Sequence, residues 1–134
     1  MEAAVIMLGL ASERMIDEKL NALLGYLSRN FRIEHSQMRG EVANKRKASE
    51  KFNCYKKYFN LIKNRVSDVE FKEMLPMVDR VAFQAYANFT RITRNGLAHP
   101  SDTKMERIEV LMIFISFVKY CQIQYGFIDY YINN

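Results

Sequence analysis

Five glycines and two prolines are scattered over 134 residues. That is too few for an all-β chain, which needs a turn every ~8 to 12 residues. The chain therefore reads as helical. Its two cysteines, Cys54 and Cys121, stand far apart within apolar periodic segments, so neither a disulfide framework nor a clustered zinc site is indicated. Both read as reduced core thiols. The longest apolar run, Ala3 to Ala11, is well short of the ~18 to 20 residues of a membrane span, and no basic-then-apolar signal segment opens the chain. No membrane partner is expected, and the cytosol is the expected compartment. Glycine-rich phosphate loops, nucleophile elbows and paired-carboxylate sites are missing as well, and no metal or cofactor is expected.

What is present is a composition of 49% hydrophobic and 26% charged residues, enough for one soluble core spanning residues 1–134. The opening Met1-Glu2-Ala3-Ala4-Val5 already lies in helix-forming sequence, which raises the expectation of a domain taken from a longer protein. The net charge of +5 is unevenly spread. Arg29 to Lys72 holds twelve Lys and Arg against five Asp and Glu, a net of +7, and the rest of the chain sums to −2. A clustered positive surface attracts nucleic-acid phosphates, yet a solvated helix face has the same composition. His35, within this stretch, reads as an exposed histidine with no special role.

Ala3 to Leu27 reads as a first helix, with Leu8, Ala11, Met15, Leu20, Leu23, Leu24 and Leu27 near helical spacing. Its first turns are apolar on every side, which calls for two packing partners. A second helical region runs from Phe31 to Val66, and its latter half carries a seam at Phe52, Tyr55, Phe59, Ile62 and Val66. From Glu34 to Lys51 the apolar residues thin out, Gly40 interrupts and Lys45-Arg46-Lys47 stands in the middle. That segment is expected to project from the body as an exposed helix or mobile connection, a contact surface rather than core.

Ser67-Asp68-Val69-Glu70 fits a capping box and predicts the start of a third helix, which Pro76 kinks or restarts. Val78, Ala82, Ala85, Phe89 and Ile92 continue its seam until Gly96 closes it. Thr103 and Glu106 form a second capping box. The helix that follows has Ile108, Leu111, Ile115 and Val118 on one side and Val110, Phe114, Phe117 and Cys121 on another. Two apolar faces on the first and last helices predict a homodimer. The fold class is all-α, an up-and-down bundle of four to five helices. Tyr120, Tyr125, Tyr130 and Tyr131 near the end are placed to pack at the edge of the core or to stack on bases.

The most informative stretch is Arg94-Asn95-Gly96-Leu97-Ala98-His99-Pro100. Arg94 belongs to the last helical turn, and the glycine-mediated reversal can return His99 to its side. A guanidinium grips phosphate oxygens bidentately, whereas imidazole exchanges a proton near neutral pH. Together they supply what metal-free cleavage of RNA needs: proton transfer at the 2′-hydroxyl or leaving oxygen, and charge stabilisation at phosphorus. The same residue types also suit a helix end, where arginine and histidine complement the dipole and Asn-Gly forms a turn. Spacing by itself leaves both readings open. Arg91, Lys104 and Arg107 flank the run and, with Lys45, Arg46 and Lys47, are candidate RNA contacts.

This run, at a helix boundary in an all-helical chain, resembles the signature of the HEPN superfamily: an arginine, a polar residue such as asparagine, then a histidine after four to six intervening residues. The opening Glu2-Ala3-Ala4-Val5-Ile6-Met7-Leu8-Gly9-Leu10-Ala11-Ser12-Glu13 is similar to the first helix of many such domains. The resemblance implies a dimerising helical bundle in which arginines and histidines of two subunits line one cleft. Arg94 and His99 would be the catalytic pair and Asn95 the polar residue that orients them. It further implies a metal-independent endoribonuclease serving in phage defence, a toxin-antitoxin pair or RNA processing. An antitoxin or further domains of a parent protein are the implied partners besides RNA. The tyrosine that commonly stands two residues after the histidine in the branch paired with nucleotidyltransferase antitoxins is Ser101 here, which disfavours that partner. The alternative implied role is a non-catalytic dimerisation, nucleotide-sensing or RNA-binding module of a larger defence protein.

Overall fold

A computed structural model describes the backbone at residues 2–77 and 107–134, with side chains described at residues 10–77 and 114–134. Five helices account for these residues: α1 (Glu2–Asn30), α2 (Arg32–Val42), α3 (Ala48–Ile62), α4 (Val69–Met77) and α5 (Arg107–Asn133). No strand occurs among the described residues. The all-α expectation therefore holds. The predicted seam from Val78 to Ile92, the closing Gly96 and the Thr103 cap lie outside the described residues.

Contacts between helices give their directions. α1 and α5 run parallel, because Lys19 meets Gln124 while Arg29 and Asn30 donate to the carbonyls of Tyr131 and Asn134. α3 runs parallel to α1, with Lys51 on Asp17 and Lys19 over Tyr55. α2 returns between them, antiparallel to both, pairing Glu41 with Lys57 and Glu34 with Arg65. α4 is antiparallel to α5, since Tyr130 donates to Asp68 and Gly126 lies beside Met74. The described helices thus alternate in direction, and among them α1 is the hub that touches α2, α3 and α5.

The main core is aromatic. Tyr26, Tyr55, Tyr58, Phe59, Phe71, Phe127, Tyr130 and Tyr131 are buried in one cluster with Leu20, Leu23, Leu27, Met38 and Ile62. Phe127 meets both Phe59 and Phe71 edge to face with ring centroids 5.6 Å apart, the geometry that brings a positive ring edge to a negative face. The predicted seam at Tyr55, Phe59, Ile62 and Val66 is buried and Phe52 half-buried. In α1 the buried stripe is Ser12, Met15, Ile16, Lys19, Leu20, Leu23, Tyr26 and Leu27, whereas Ala11, expected inside, is exposed.

Three expectations are corrected. The segment from Glu34 to Lys51 does not project: it forms most of α2, a short connection and the first turn of α3, and Met38 is fully buried. One fully buried side chain suffices because Val42 and the N-cap residue Phe31 also pack against the core, and ion pairs to α3 and its following turn, Glu41 with Lys57 and Glu34 with Arg65, fasten both ends of the helix. Gly40 does not interrupt it either. The chain breaks instead at Phe31 and at residues 43–47, while Gly40 sits on an open helix face where an added Cβ would meet nothing within 4 Å. The cap of α4 is also shifted by one residue: Asp68, not Ser67, offers its side-chain oxygen to the Glu70 amide at 3.3 Å. Pro76 lies inside α4.

Candidate functional site

Arg91, Arg94, Asn95, His99 and Lys104 lie outside the described residues. Arg107 is the first residue of α5, and its side chain is likewise outside the description. The motif therefore stands in the chain between α4 and α5, upstream of a helix whose far half is packed into the core.

The remaining candidates, Lys45, Arg46 and Lys47, occupy the connection between α2 and α3. Lys45 closes the end of α2 by donating its backbone N–H to the Val42 carbonyl at 3.0 Å. Lys47 stands at the N-cap of α3 in extended backbone, and its carbonyl accepts from Lys51 at 3.0 Å. Arg46 and Lys47 are exposed and Lys45 half-buried. Exposed Arg39, in the last turn of α2, stands just before this connection. The arrangement is a basic corner in which Arg46 and Lys47 are turned to solvent, while Lys45 helps hold the Glu41 carboxyl below its usual range. Elsewhere in the basic stretch, Lys57, Arg65 and Lys51 are engaged by Glu41, Glu34 and Asp17. A corner of this kind can hold phosphate oxygens without reading bases.

Lys19 is the residue that the sequence reading passed over. It is only 2% exposed, and its Nζ donates to Gln124 Oε1 at 2.7 Å. The amine lies 4.4 Å from the Tyr55 ring centroid, 5.3 Å from that of Phe52 and 5.9 Å from that of Tyr120. Burial lowers its pKa from the ordinary lysine value to about 7, because removing water penalises the charged form. A signal was available. Lys19 stands four residues after Met15 and four before Leu23, on the apolar stripe of α1, where a lysine is out of pattern.

Tyr120, Tyr130 and Tyr131 are buried, which decides for them between core packing and base stacking; Tyr125 is 44% exposed. The hydroxyls of Tyr55 and Tyr131 share a hydrogen bond of 2.8 Å, and burial pushes both phenols above their usual range. Cys54 is buried and Cys121 half-buried, both free thiols, as expected. Burial raises both pKa values, which suits packing and opposes thiolate chemistry. His35 is half-buried on α2. Among the described residues, no three His, Cys, Asp or Glu side chains gather as a metal site requires. No described helix is long and apolar enough to cross a membrane.

Comparison of the chain with models of protein families, with characterised proteins and with solved structures finds no match.

Proposed function

We propose that this chain is a metal-independent endoribonuclease of the HEPN type, working in the cytosol as a homodimer in phage defence or a toxin-antitoxin system. The observation that carries the proposal is the run Arg94-Asn95-Gly96-Leu97-Ala98-His99-Pro100, standing ahead of α5 in a chain whose described residues are all-helical or in short connections. Arg94 binds the scissile phosphate and stabilises the charge that builds on phosphorus. His99 moves the proton, and Asn95 orients the pair. Arg91, Lys104 and Arg107 widen the anionic contact near the motif. Lys45, Arg46 and Lys47 give a second, sequence-independent hold on the RNA backbone.

The test is incubation of the purified chain with mixed single-stranded RNA in EDTA. Wild type is expected to cleave, and His99→Ala to lose roughly two to four orders of magnitude in rate, the usual contribution of general acid-base catalysis. Absent cleavage, or equal cleavage by wild type and His99→Ala, overturns the enzymatic reading. Binding without cleavage would fit the non-catalytic module instead. Light scattering at micromolar concentration tests the composite cleft, which a monomeric mass would remove.

A further inference from the structure

Lys19 is a buried charge-bearing group that this chemistry does not use, and its surroundings are unusual. Three helices enclose the amine: α1 carries it, α3 covers it with Phe52 and Tyr55, and α5 supplies Tyr120 and Gln124. Every one of those neighbours is neutral at physiological pH. Among the described residues no carboxylate forms an ion pair with Lys19. On the three enclosing helices, Asp17 is bound by Lys51 and Glu18 by Arg14, Glu50 of α3 is half-buried, and Lys119 and Asp129 of α5 are exposed; Glu41 on α2 is bound by Lys57, and Asp68, before α4, accepts from Tyr130. Glu34 on α2 is taken by Arg65.

A neutral amine suits such a site well. It keeps the hydrogen bond to Gln124 and packs its methylenes against the rings. An ammonium there keeps the same amide oxygen and gains the faces of the rings, but with no counter-charge among the described residues these only partly replace its lost hydration. The protonated and neutral forms of Lys19 therefore hold the same three helices together with different strength.

We propose that Lys19 is a pH-sensitive latch at the junction of α1, α3 and α5, tight when the amine is neutral and loosened when it takes up a proton. The lowering of its pKa to about 7 by burial agrees with this and sets the window. The unfolded chain binds that proton up to the ordinary lysine value near 10.5, and the folded chain releases it above about 7. Between these limits the unfolded state carries more protons, so stability rises with pH. Below about 7 both states are protonated, and the latch contributes no further slope. This inference does not depend on the ribonuclease reading, and its failure would leave that reading untouched.

The experiment follows the Cε and Nζ signals of Lys19 by NMR across pH 5.5 to 10.5 in the full chain, alongside urea unfolding of wild type and Lys19→Met. The latch predicts a Lys19 titration midpoint well below those of the surface lysines. It also predicts a wild-type folding constant that gains up to about tenfold per pH unit above pH 7 relative to Lys19→Met. A Lys19 midpoint above pH 9.5, or parallel pH profiles for the two proteins, overturns it. Should Lys19→Met fail to fold, the wild-type titration decides alone.

Discussion

α2 and the last four turns of α5 are secured in opposite ways. In α5, Tyr120, Gln124, Phe127, Ile128, Tyr130 and Tyr131 are all buried, so the helix is gripped by α1, α3 and α4 together. In α2 only Met38 is buried, and ion pairs to Lys57 and Arg65 do much of the remaining positioning. The contrast shows that a polar helix need not leave the body of a small domain. One fully buried side chain, helped by half-buried Val42 and Phe31, anchors it, and charges set its register. It also separates the roles of the two surfaces: α5 contributes rigidity, while α2 carries a basic corner to solvent at little apolar cost.

Breaking the α5 side of this comparison should have the largest effect. Phe127→Ala removes a ring that meets Phe59 and Phe71, and is expected to cost ~3 to 5 kcal/mol in urea unfolding. On the α2 side, Met38→Ala should cost ~2 to 5 kcal/mol if the helix folds with the core, and almost nothing if it is held only from outside. The low end of that range is expected, because an edge helix can settle into the space. Measured as a pair, the two substitutions rank the anchors directly.

Glu34→Gln probes the charges and should cost less than ~1 kcal/mol at neutral pH, since Arg65 is largely exposed. The hydrogen bond from Arg65 holds the Glu34 carboxyl below its usual range, and that from Lys57 does the same for Glu41. For a carboxyl depressed in the folded state, the stabilisation is present above the unfolded value near 4.5 and is lost as pH falls through the lower folded value. Acid unfolding should therefore begin at slightly higher pH in wild type than expected from its neutral-pH stability, and Glu34→Gln should flatten that loss. An unchanged acid limb would assign the register of α2 to Met38 alone.

Much of this architecture was legible because periodicity reports burial directly. The 3-4 spacing of Tyr55, Phe59, Ile62 and Val66 identified the inner face of α3 and of the turn that follows it, and the isolated cysteines were correctly read as free thiols. α2 was misjudged for a physical reason: a helix whose Ile33, Met38 and Val42 are sparse and unevenly spaced has no clear period, and ion pairs to residues 16 and 31 positions away leave no local trace. Lys19 was missed because composition places lysine at the surface, although its position on the stripe of α1 contradicted that. The Arg94 to His99 run is a reading of the sequence throughout, and its weight rests on residue types and order.

By itself the sequence determined the helical class, the inner face of α3 and the presence of an arginine and a histidine five residues apart. These follow from local preference, period and chemistry, all carried by neighbouring residues. Tertiary structure alone decided that α2 docks, that the late tyrosines face inward in three cases of four, and that Lys19 is enclosed. Each of those outcomes depends on which distant helix arrives alongside. Whether an amine at one position meets water, a carboxylate or an aromatic ring is settled only when α3 and α5 close over it.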